Sequence, residues 1–384
     1  MRTAAPGVLL VLIMAQPNMA TGMMPYYRHA WDLAPLLITV IFAAYLFALT
    51  PTLTFIGTPP ARQAWWWRIG VGSACSIGAD TAMSLADSAG PACMARVLAG
   101  LSVGLVTGSL AGLILERNGE RGRTAMATAT VLGSALGTIA AAWVAQYLPA
   151  PGVTVYVGHA VLLGGVALLV ITDRSPGHRV GAKHATQPQS NEPRIAGYLN
   201  GIAAWVSAGL VVALLPSYGA ELLGTTNLSL LALPVSMYLV SAWVIQRAVP
   251  PGMLPGEPIL AQLTIIAGVA IAAAVAIAPS LPLLLAGAVL AGCGQGIAYR
   301  TGLRIVSAAT PPDQHARIAA RYAAVAYLCA AVATIGFGVV ATIGTMQHAV
   351  FTAAIALLAV AAATTIVRKY AYTRQPEIRT ATTA

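Results

Sequence analysis

The stretch Arg96-Val97-Leu98-Ala99-Gly100-Leu101-Ser102-Val103-Gly104 decides the fold, because its core returns 192 residues later as Val289-Leu290-Ala291-Gly292-Cys293-Gly294-Gln295-Gly296. A repeat at half the chain length indicates a duplicated architecture. Both copies lie in apolar segments, where small residues four apart let a neighbouring helix approach closely. Arg96 has no counterpart in the second copy, and a charge inside a bilayer is costly unless it is paired or faces water. We therefore interpret the glycines as packing positions and Arg96 as a candidate functional residue.

The composition is typical of a polytopic membrane protein. Hydrophobic residues make up 58% of the 384, charged residues make up 8%, and the mean hydropathy is +0.77. The net charge of +10 comes from short basic clusters between apolar runs, a pattern that encodes membrane orientation and does not indicate a nucleic-acid partner. The spacing of the cysteines predicts neither a disulfide framework nor a metal site; they are Cys75, Cys93, Cys293 and Cys329.

Twelve segments are long enough to cross a bilayer, which takes about 20 apolar residues. They lie near 7–26, 33–56, 66–86, 91–115, 124–148, 153–172, 194–217, 227–249, 259–279, 281–303, 318–343 and 347–367. The first of them has an alternative interpretation as a signal peptide, since Arg2 precedes a short apolar run. Twelve spans place both termini on one side of the membrane.

The basic residues predict which side that is. With both termini cytoplasmic, all of the 21 Lys and Arg residues except Arg28 and Arg96 fall on inner loops, inner helix ends or tails. This asymmetry is the positive-inside signature, and it predicts a multi-pass protein of the cytoplasmic membrane. Arg300 and Arg304 share one helix face, and we interpret them as anchors at the inner end of the tenth span in preference to an anion site.

The polar stretch 173–193 contains three prolines and two glycines and predicts a cytoplasmic linker. It divides the chain into an N-terminal six-helix bundle over 1–172 and a C-terminal six-helix bundle over 194–367, followed by a tail over 368–384. A second repeated pair, Pro25-Tyr26-Tyr27 and Pro216-Ser217-Tyr218, agrees with this division. Parallel bundles of this kind hold substrate at their interface near the bilayer midplane and expose it alternately to each side.

The chain resembles the major facilitator superfamily over nearly its whole length. The resemblance lies in the 6+6 layout, the central loop, Arg96 with its glycines, and the loop Pro311-Pro312-Asp313-Gln314-His315-Ala316-Arg317. The Pro-Tyr pair that closes the first span, together with Phe42-Ala43-Ala44-Tyr45 in the second, resembles bacterial drug and metabolite efflux members. The resemblance implies an all-α membrane protein of twelve helices in two pseudo-symmetric bundles.

Two motifs of that family are degenerate here. The inner loop after the second span commonly has the pattern G-x-x-x-D-R-x-G-R, but here Ala61 replaces the acid and Ala64 replaces the second glycine. The drug-antiporter pattern of the fifth span has Thr138 in place of its proline. The small residues that allow close helix packing are kept in the fifth span. Without the proline, the kink that it would introduce into this helix is weakened. The resemblance implies gating roles for Arg62 and Arg317, and the evidence for antiport is partial.

The resemblance also implies that the first, fourth, seventh and tenth spans line the cavity. From the polar side chains on these spans we predict a substrate-binding set of Asn18, Arg96, Asn200, Trp205, Gln295 and Tyr299. The alternative for each is a hydrogen bond between helices. Because these groups are few and mostly neutral, the pattern favours an uncharged or mildly polar substrate.

Asp80 is the only carboxylate well within a predicted span. It lies toward the outer end of the third span, and Arg96 lies toward the outer end of the fourth. We predict that the two approach one another and couple transport to protons, with a static interfacial ion pair or no contact as alternatives. His159 is isolated in the sequence and is interpreted as a packing residue.

The sequence therefore predicts a secondary transporter that exports a small amphipathic drug or metabolite, driven by the proton gradient. A facilitator or importer without proton coupling, and a non-transporting membrane protein, are the alternatives. No phosphate-binding G-x-x-x-x-G-K-[ST] loop and no hydrolase or metalloprotease motif occurs, so neither an enzyme nor a bound cofactor is expected. The expected partners are a small-molecule substrate and the lipid bilayer, and a monomer is expected.

Overall fold

The computed structural model describes residues 4–56, 64–118, 121–173, 192–308, 310–311 and 314–381. These ranges contain helices and connecting turns and no strand. The helices are α1 (Ala5–Ala30), α2 (Pro35–Phe55), α3 (Trp65–Ser84), α4 (Ala89–Asn118), α5 (Arg121–Tyr147), α6 (Pro151–Thr172), α7 (Arg194–Ala213), α8 (Leu215–Leu223), α9 (Leu228–Ala248), α10 (Glu257–Ala274), α11 (Leu281–Ala308), α12 (His315–Ile343) and α13 (Met346–Ala381).

Eleven of these helices are long and apolar enough to cross a membrane. The predicted third span, α3, falls outside that set because Arg68 and Asp80 lower its hydropathy, yet it packs between α4 and α6 like the other spans. The predicted seventh span is divided into α7 and α8 at Leu214. Pro216 explains the division, since its ring has no N–H to donate and clashes with the carbonyl four residues earlier.

The helices form two bundles, α1 to α6 and α7 to α13. Within the first, α1 packs on α5 and α4 packs on both α2 and α3; within the second, α11 packs on α7, α9 and α10. The bundles meet mainly where α2 packs on α12 and α5 packs on α9. The fold class predicted from the sequence is confirmed. The proposed linker lies largely outside the described residues, so the domain boundaries stay predictions.

The repeated glycines are among the points at which helices approach closely within each bundle. A methyl group added to Gly100 would overlap the carbonyl oxygen of Tyr45 on α2, and one added to Gly292 would overlap that of Tyr238 on α9. The two copies of the repeat therefore make equivalent contacts, α4 on α2 and α11 on α9. Only a residue without Cβ lets the backbones come this close.

We expect Gly100→Ala to lower the stability of the protein by about 1–3 kcal/mol, the usual cost of overpacking. The new methyl group would meet the backbone of α2, which has to move to admit it. The measurement is the unfolding temperature of the purified protein in detergent. The control is Gly158→Ala, at an exposed position with no atom within 4 Å, where no loss is expected. Equal unfolding temperatures for the two variants would contradict the packing role.

The chain ends and the α6–α7 connection lie on one face of the molecule, here called the termini face; the opposite face is called the far face. On the far face, the Leu36 amide donates to Thr342 Oγ1 at 2.9 Å and the Leu228 amide donates to Gln146 Oε1 at 2.8 Å. Both bonds join one bundle to the other. On the termini face, the Arg247 guanidinium donates to Thr128 Oγ1 at 2.9 Å.

Candidate functional site

A cavity of about 390 Å³ lies between the bundles. Helices α1, α2, α4 and α5 line it on one side, and α7, α9, α11 and α12 line it on the other. The lining extends to Leu53 and Gln246, which lie in the last turns of α2 and α9 at the termini face. The cavity is therefore shared by both bundles and reaches toward the termini face.

Five of the six residues predicted to bind substrate line this cavity: Asn18, Arg96, Trp205, Gln295 and Tyr299. Asn200 does not. Its side chain is fully buried, and its amide donates to the carbonyl of Ala196 at 2.9 Å, one turn earlier on the same helix. The substrate-binding role of the five stays a prediction, and the side of the helix that each residue occupies required the tertiary structure.

Sequence reasoning missed the lining residues on the interface helices. Phe42 and Tyr45 of α2, Tyr327 of α12 and Trp243 of α9 all face the cavity. The Phe42 to Tyr45 motif was recognised in the sequence, but the cavity was assigned to other spans. Because α2 packs on α12 and α5 on α9 at the junction of the bundles, one face of each of these helices borders the cavity as well.

Arg96 is 2% exposed and lines the cavity wall on α4. Its Nε donates to the carbonyl of Ile41 at 3.3 Å, and its Nη1 donates to the carbonyl of Pro17 at 2.5 Å. The guanidinium carbon lies 4.9 Å from the centre of the Tyr45 ring. Two carbonyl dipoles and a ring face thus solvate a full positive charge, and Nη2 donates to no acceptor among the described residues.

The opposite wall of the cavity is aromatic. The ring of Trp205 meets Tyr327 edge-on at 4.2 Å between centroids, and it meets Tyr299 edge-on at 6.1 Å. The indole Nε1 of Trp205 is buried without an acceptor. Edge-to-face rings at these separations hold one another in place. The second bundle therefore presents a fixed aromatic surface to the charge on the first.

The predicted approach of Asp80 to Arg96 is wrong. The Asp80 carboxylate, with its side chain 0% exposed, instead contacts Nδ1 of His159 on α6 at 2.7 Å. His159 is therefore not an isolated packing residue. The physical reason is helix rotation: α3 turns Asp80 toward α6, whereas α4 turns Arg96 toward the carbonyls of α1 and α2.

The hydrogen bonds of His159 determine how many protons the pair holds. Its Nε2 lies 3.0 Å from the carbonyl of Leu12 on α1, and because a carbonyl only accepts, Nε2 carries a hydrogen. The short bond between Nδ1 and Asp80 Oδ2 then needs one further proton, on either atom. If this proton were lost, the lone pair of His159 Nδ1 would face the negatively charged Asp80 carboxylate, and the two would repel each other. The pair is thus a one-proton site that also joins α6 to α1.

The predicted gating roles of Arg62 and Arg317 stay predictions. Arg62 lies outside the described residues, and Arg317 is exposed in the first turn of α12. A charged cluster lies instead around Glu257, whose Oε1 is 2.9 Å from Arg300 and whose Oε2 is 2.8 Å from Arg304. The two arginines are therefore ion-paired, beyond the anchoring predicted for them. No sequence pattern indicated that Glu257 would be buried.

A second cavity of about 1330 Å³ opens at the far face, near the ends of α1 and α8. Arg28 and Glu221 both line it and form an ion pair across the bundles at 3.7 Å. Their side chains are 31% and 46% exposed, so this pair is a weak contact. Among the described residues, no group of His, Cys, Asp or Glu could hold a metal ion.

Comparison with known proteins supports the fold. No protein-family model matches the chain, and no curated protein matches it significantly. Solved structures match over almost the full length. They include a bacterial homologue of the human lysosomal transporter Spinster, in an inward-facing and occupied conformation (12% identity, TM-score 0.71, 96% of each chain). They also include the nucleoside transporter NupG (14%, 0.72, 95% and 98%) and a POT family transporter bound to 5-aminolevulinic acid (12%, 0.70, 95% and 96%).

These neighbours are transporters of the major facilitator type. The chain has their fold. It is a multi-pass membrane protein. At 12–14% identity the likeness defines the architecture, and the molecule that this chain handles has to be argued from its own residues.

Proposed function

We propose that the chain is a secondary transporter that exports a small amphipathic molecule across the cytoplasmic membrane by alternating access. The observation that carries the proposal is the cavity between the bundles, with its lining drawn from both and extending to one face. Substrate sites at the interface of two related bundles are what this mechanism requires. The transporters with the same fold support it.

The distribution of basic residues assigns the termini face to the cytoplasm. The extension of the central cavity lining to that face, together with the contact between α2 and α12 at the far face, supports an inward-facing conformation. Outward opening would separate α2 from α12 at this contact. The Arg28–Glu221 ion pair would break in the same movement.

Proton coupling is proposed to use Asp80 together with Arg96. The Asp80–His159 pair holds one proton, and its histidine binds the carbonyl of Leu12 on α1. Arg96 binds the carbonyl of Pro17 on the same helix. Protonation of the pair would therefore act on α1, which also lines the cavity, without a direct contact between Asp80 and Arg96.

A facilitator without proton coupling is the second candidate. The observation that favours it is that none of the described residues lining the cavity is a carboxylate. Removal of the Asp80 carboxyl group distinguishes the proton-coupled transporter from the facilitator, because only the first needs this group.

Alternating access predicts that a covalent bond between α2 and α12 will stop transport. The ideal Cβ of Gly338 lies 2.9 Å from Cβ of Thr39, so cysteines at these positions need only a small shift to reach disulfide spacing. In a background without the four native cysteines, oxidation of Thr39→Cys with Gly338→Cys should reduce uptake into proteoliposomes to that of protein-free vesicles. Reduction should restore it.

The matched control is Thr52→Cys with Gly104→Cys. It uses the same helix α2 and the same residue types, but it joins α2 to α4 within one bundle, where the Cβ separation is 2.6 Å. Because each bundle moves as a unit, this cross-link should leave uptake unchanged. Equal inhibition by both cross-links, or by neither, would contradict alternating access between the two bundles.

A further inference from the structure

The central cavity has a positive charge and no negative one. Arg96 is the single charged side chain among the described residues that line it. Nε and Nη1 bind backbone carbonyls, and Nη2 donates to nothing in the described part of the chain. Carbonyl dipoles solvate a guanidinium without neutralising it, so the charge acts on whatever enters the cavity. An anion is attracted, and a cation is repelled.

The aromatic wall of the cavity favours a ligand of a particular shape. Trp205, Tyr299 and Tyr327 line one cavity, and their rings contact one another edge-on or tilted. A flat ring packs on such a surface with favourable stacked or edge-on geometry, whereas a bulky aliphatic group of equal area lacks that geometry.

The charge and the rings lie close enough to bind one small molecule. The Arg96 guanidinium lies over the Tyr45 ring, and Tyr45, Arg96 and the three aromatic residues all line the same cavity. The cavity volume of about 390 Å³ is at the lower end of that of small-molecule sites. The charge of Arg96 and the aromatic wall therefore act on the same ligand.

We propose that the cavity selects a planar aromatic monoanion, with the carboxylate or an equivalent acidic group on Nη2 of Arg96 and the ring against Trp205, Tyr299 and Tyr327. This inference rests on the proposed function, because it names the substrate class of the same cavity. It revises the preference for an uncharged substrate that the sequence favoured. That preference was based on the number of neutral polar side chains on the cavity spans. It did not take into account that, among the described lining residues, no acidic side chain neutralises Arg96.

The test is isothermal titration calorimetry on the purified protein in a neutral maltoside detergent, with three probes of similar shape. These are 1-naphthoate, the uncharged 1-naphthamide and the cationic 1-naphthylmethylamine. We expect the naphthoate to bind at least about tenfold more tightly than the amide, a difference of about 1.4 kcal/mol, and the amine not to bind. Equal affinities for naphthoate and amide would overturn the inference.

Two variants test the residues. Arg96→Met should remove the preference for naphthoate over naphthamide. Because Arg96 also holds the carbonyls of Pro17 and Ile41, this variant has a folding risk, and Gln295→Glu provides the second test. This nearly isosteric change adds a negative charge to the cavity lining, so it should weaken naphthoate and admit the amine. An unchanged order of affinities in Gln295→Glu would overturn the inference.

Transport of the same probes separates this inference from the proposed function. Naphthoate that binds with the expected preference but does not cross proteoliposome membranes would support the inference and contradict the proposed function. Transport of the amide or the amine without any binding of naphthoate would support the proposed function and overturn the inference.

Discussion

Asp80→Asn is expected to reduce substrate-evoked proton movement to the level of protein-free liposomes. The assay uses proteoliposomes with a trapped pH-sensitive dye and an amphipathic compound that the native protein moves. Asparagine keeps the shape of the side chain and a contact to His159, but it has no proton to release. Exchange of labelled for unlabelled substrate involves no net proton movement, so it should continue.

The control for this prediction is Asp87→Asn. Asp87 lies at the far face beyond α3, is exposed, and accepts a hydrogen bond from Ser88 at 2.8 Å. Its removal changes the net charge of the protein by the same amount and should leave proton movement intact. Undiminished pH-driven transport in Asp80→Asn would show that the Asp80–His159 pair is structural, and it would favour the facilitator.

Glu257→Gln is expected to destabilise the protein by about 3–5 kcal/mol, as when one partner is removed from a buried ion pair. The Glu257 side chain is 3% exposed, and it also accepts a hydrogen bond from the Gly252 amide at 3.1 Å. The change would leave the guanidinium groups of Arg300 and Arg304 without a carboxylate, at side-chain exposures of 16% and 24%. The measurement is the unfolding temperature in detergent.

Two comparisons make this prediction specific. Glu221→Gln removes the acid of the exposed, 3.7 Å pair with Arg28 and should cost no more than about 1 kcal/mol. Adding Arg304→Met to Glu257→Gln should recover part of the loss, because it removes one of the unpaired charges. A Glu257→Gln protein as stable as Glu221→Gln would contradict a stabilising role for the cluster.

The cluster has no equivalent in the first bundle. Across the 192-residue offset, Trp65 corresponds to Glu257 and Gly112 to Arg304. In the first bundle the Trp65 ring packs over Gly112, 2.5 Å from where a Cβ would lie. The same position in the architecture is therefore filled by an apolar contact in one bundle and by an ion pair in the other.

The sequence by itself determined the architecture. Length, hydropathy and the glycine repeat specify helices and their duplication, because a bilayer admits few folds and because glycines four apart place the closest helix contacts. Arg96 was identified as a candidate functional residue from the sequence alone, since a lone charge in an apolar segment is costly. The basic residues predicted the orientation on the same principle.

Only the tertiary structure decided which side chains meet. Asp80 pairs with His159, 79 residues away, and not with Arg96, because the rotation of a helix about its axis depends on how it packs against all its neighbours at once. Asn200 lies outside the cavity, and Tyr45 and Tyr327 lie within it, for the same reason. Hydrophobic periodicity gives the span of each helix, but in a chain that is apolar on nearly every face it does not specify which face turns inward.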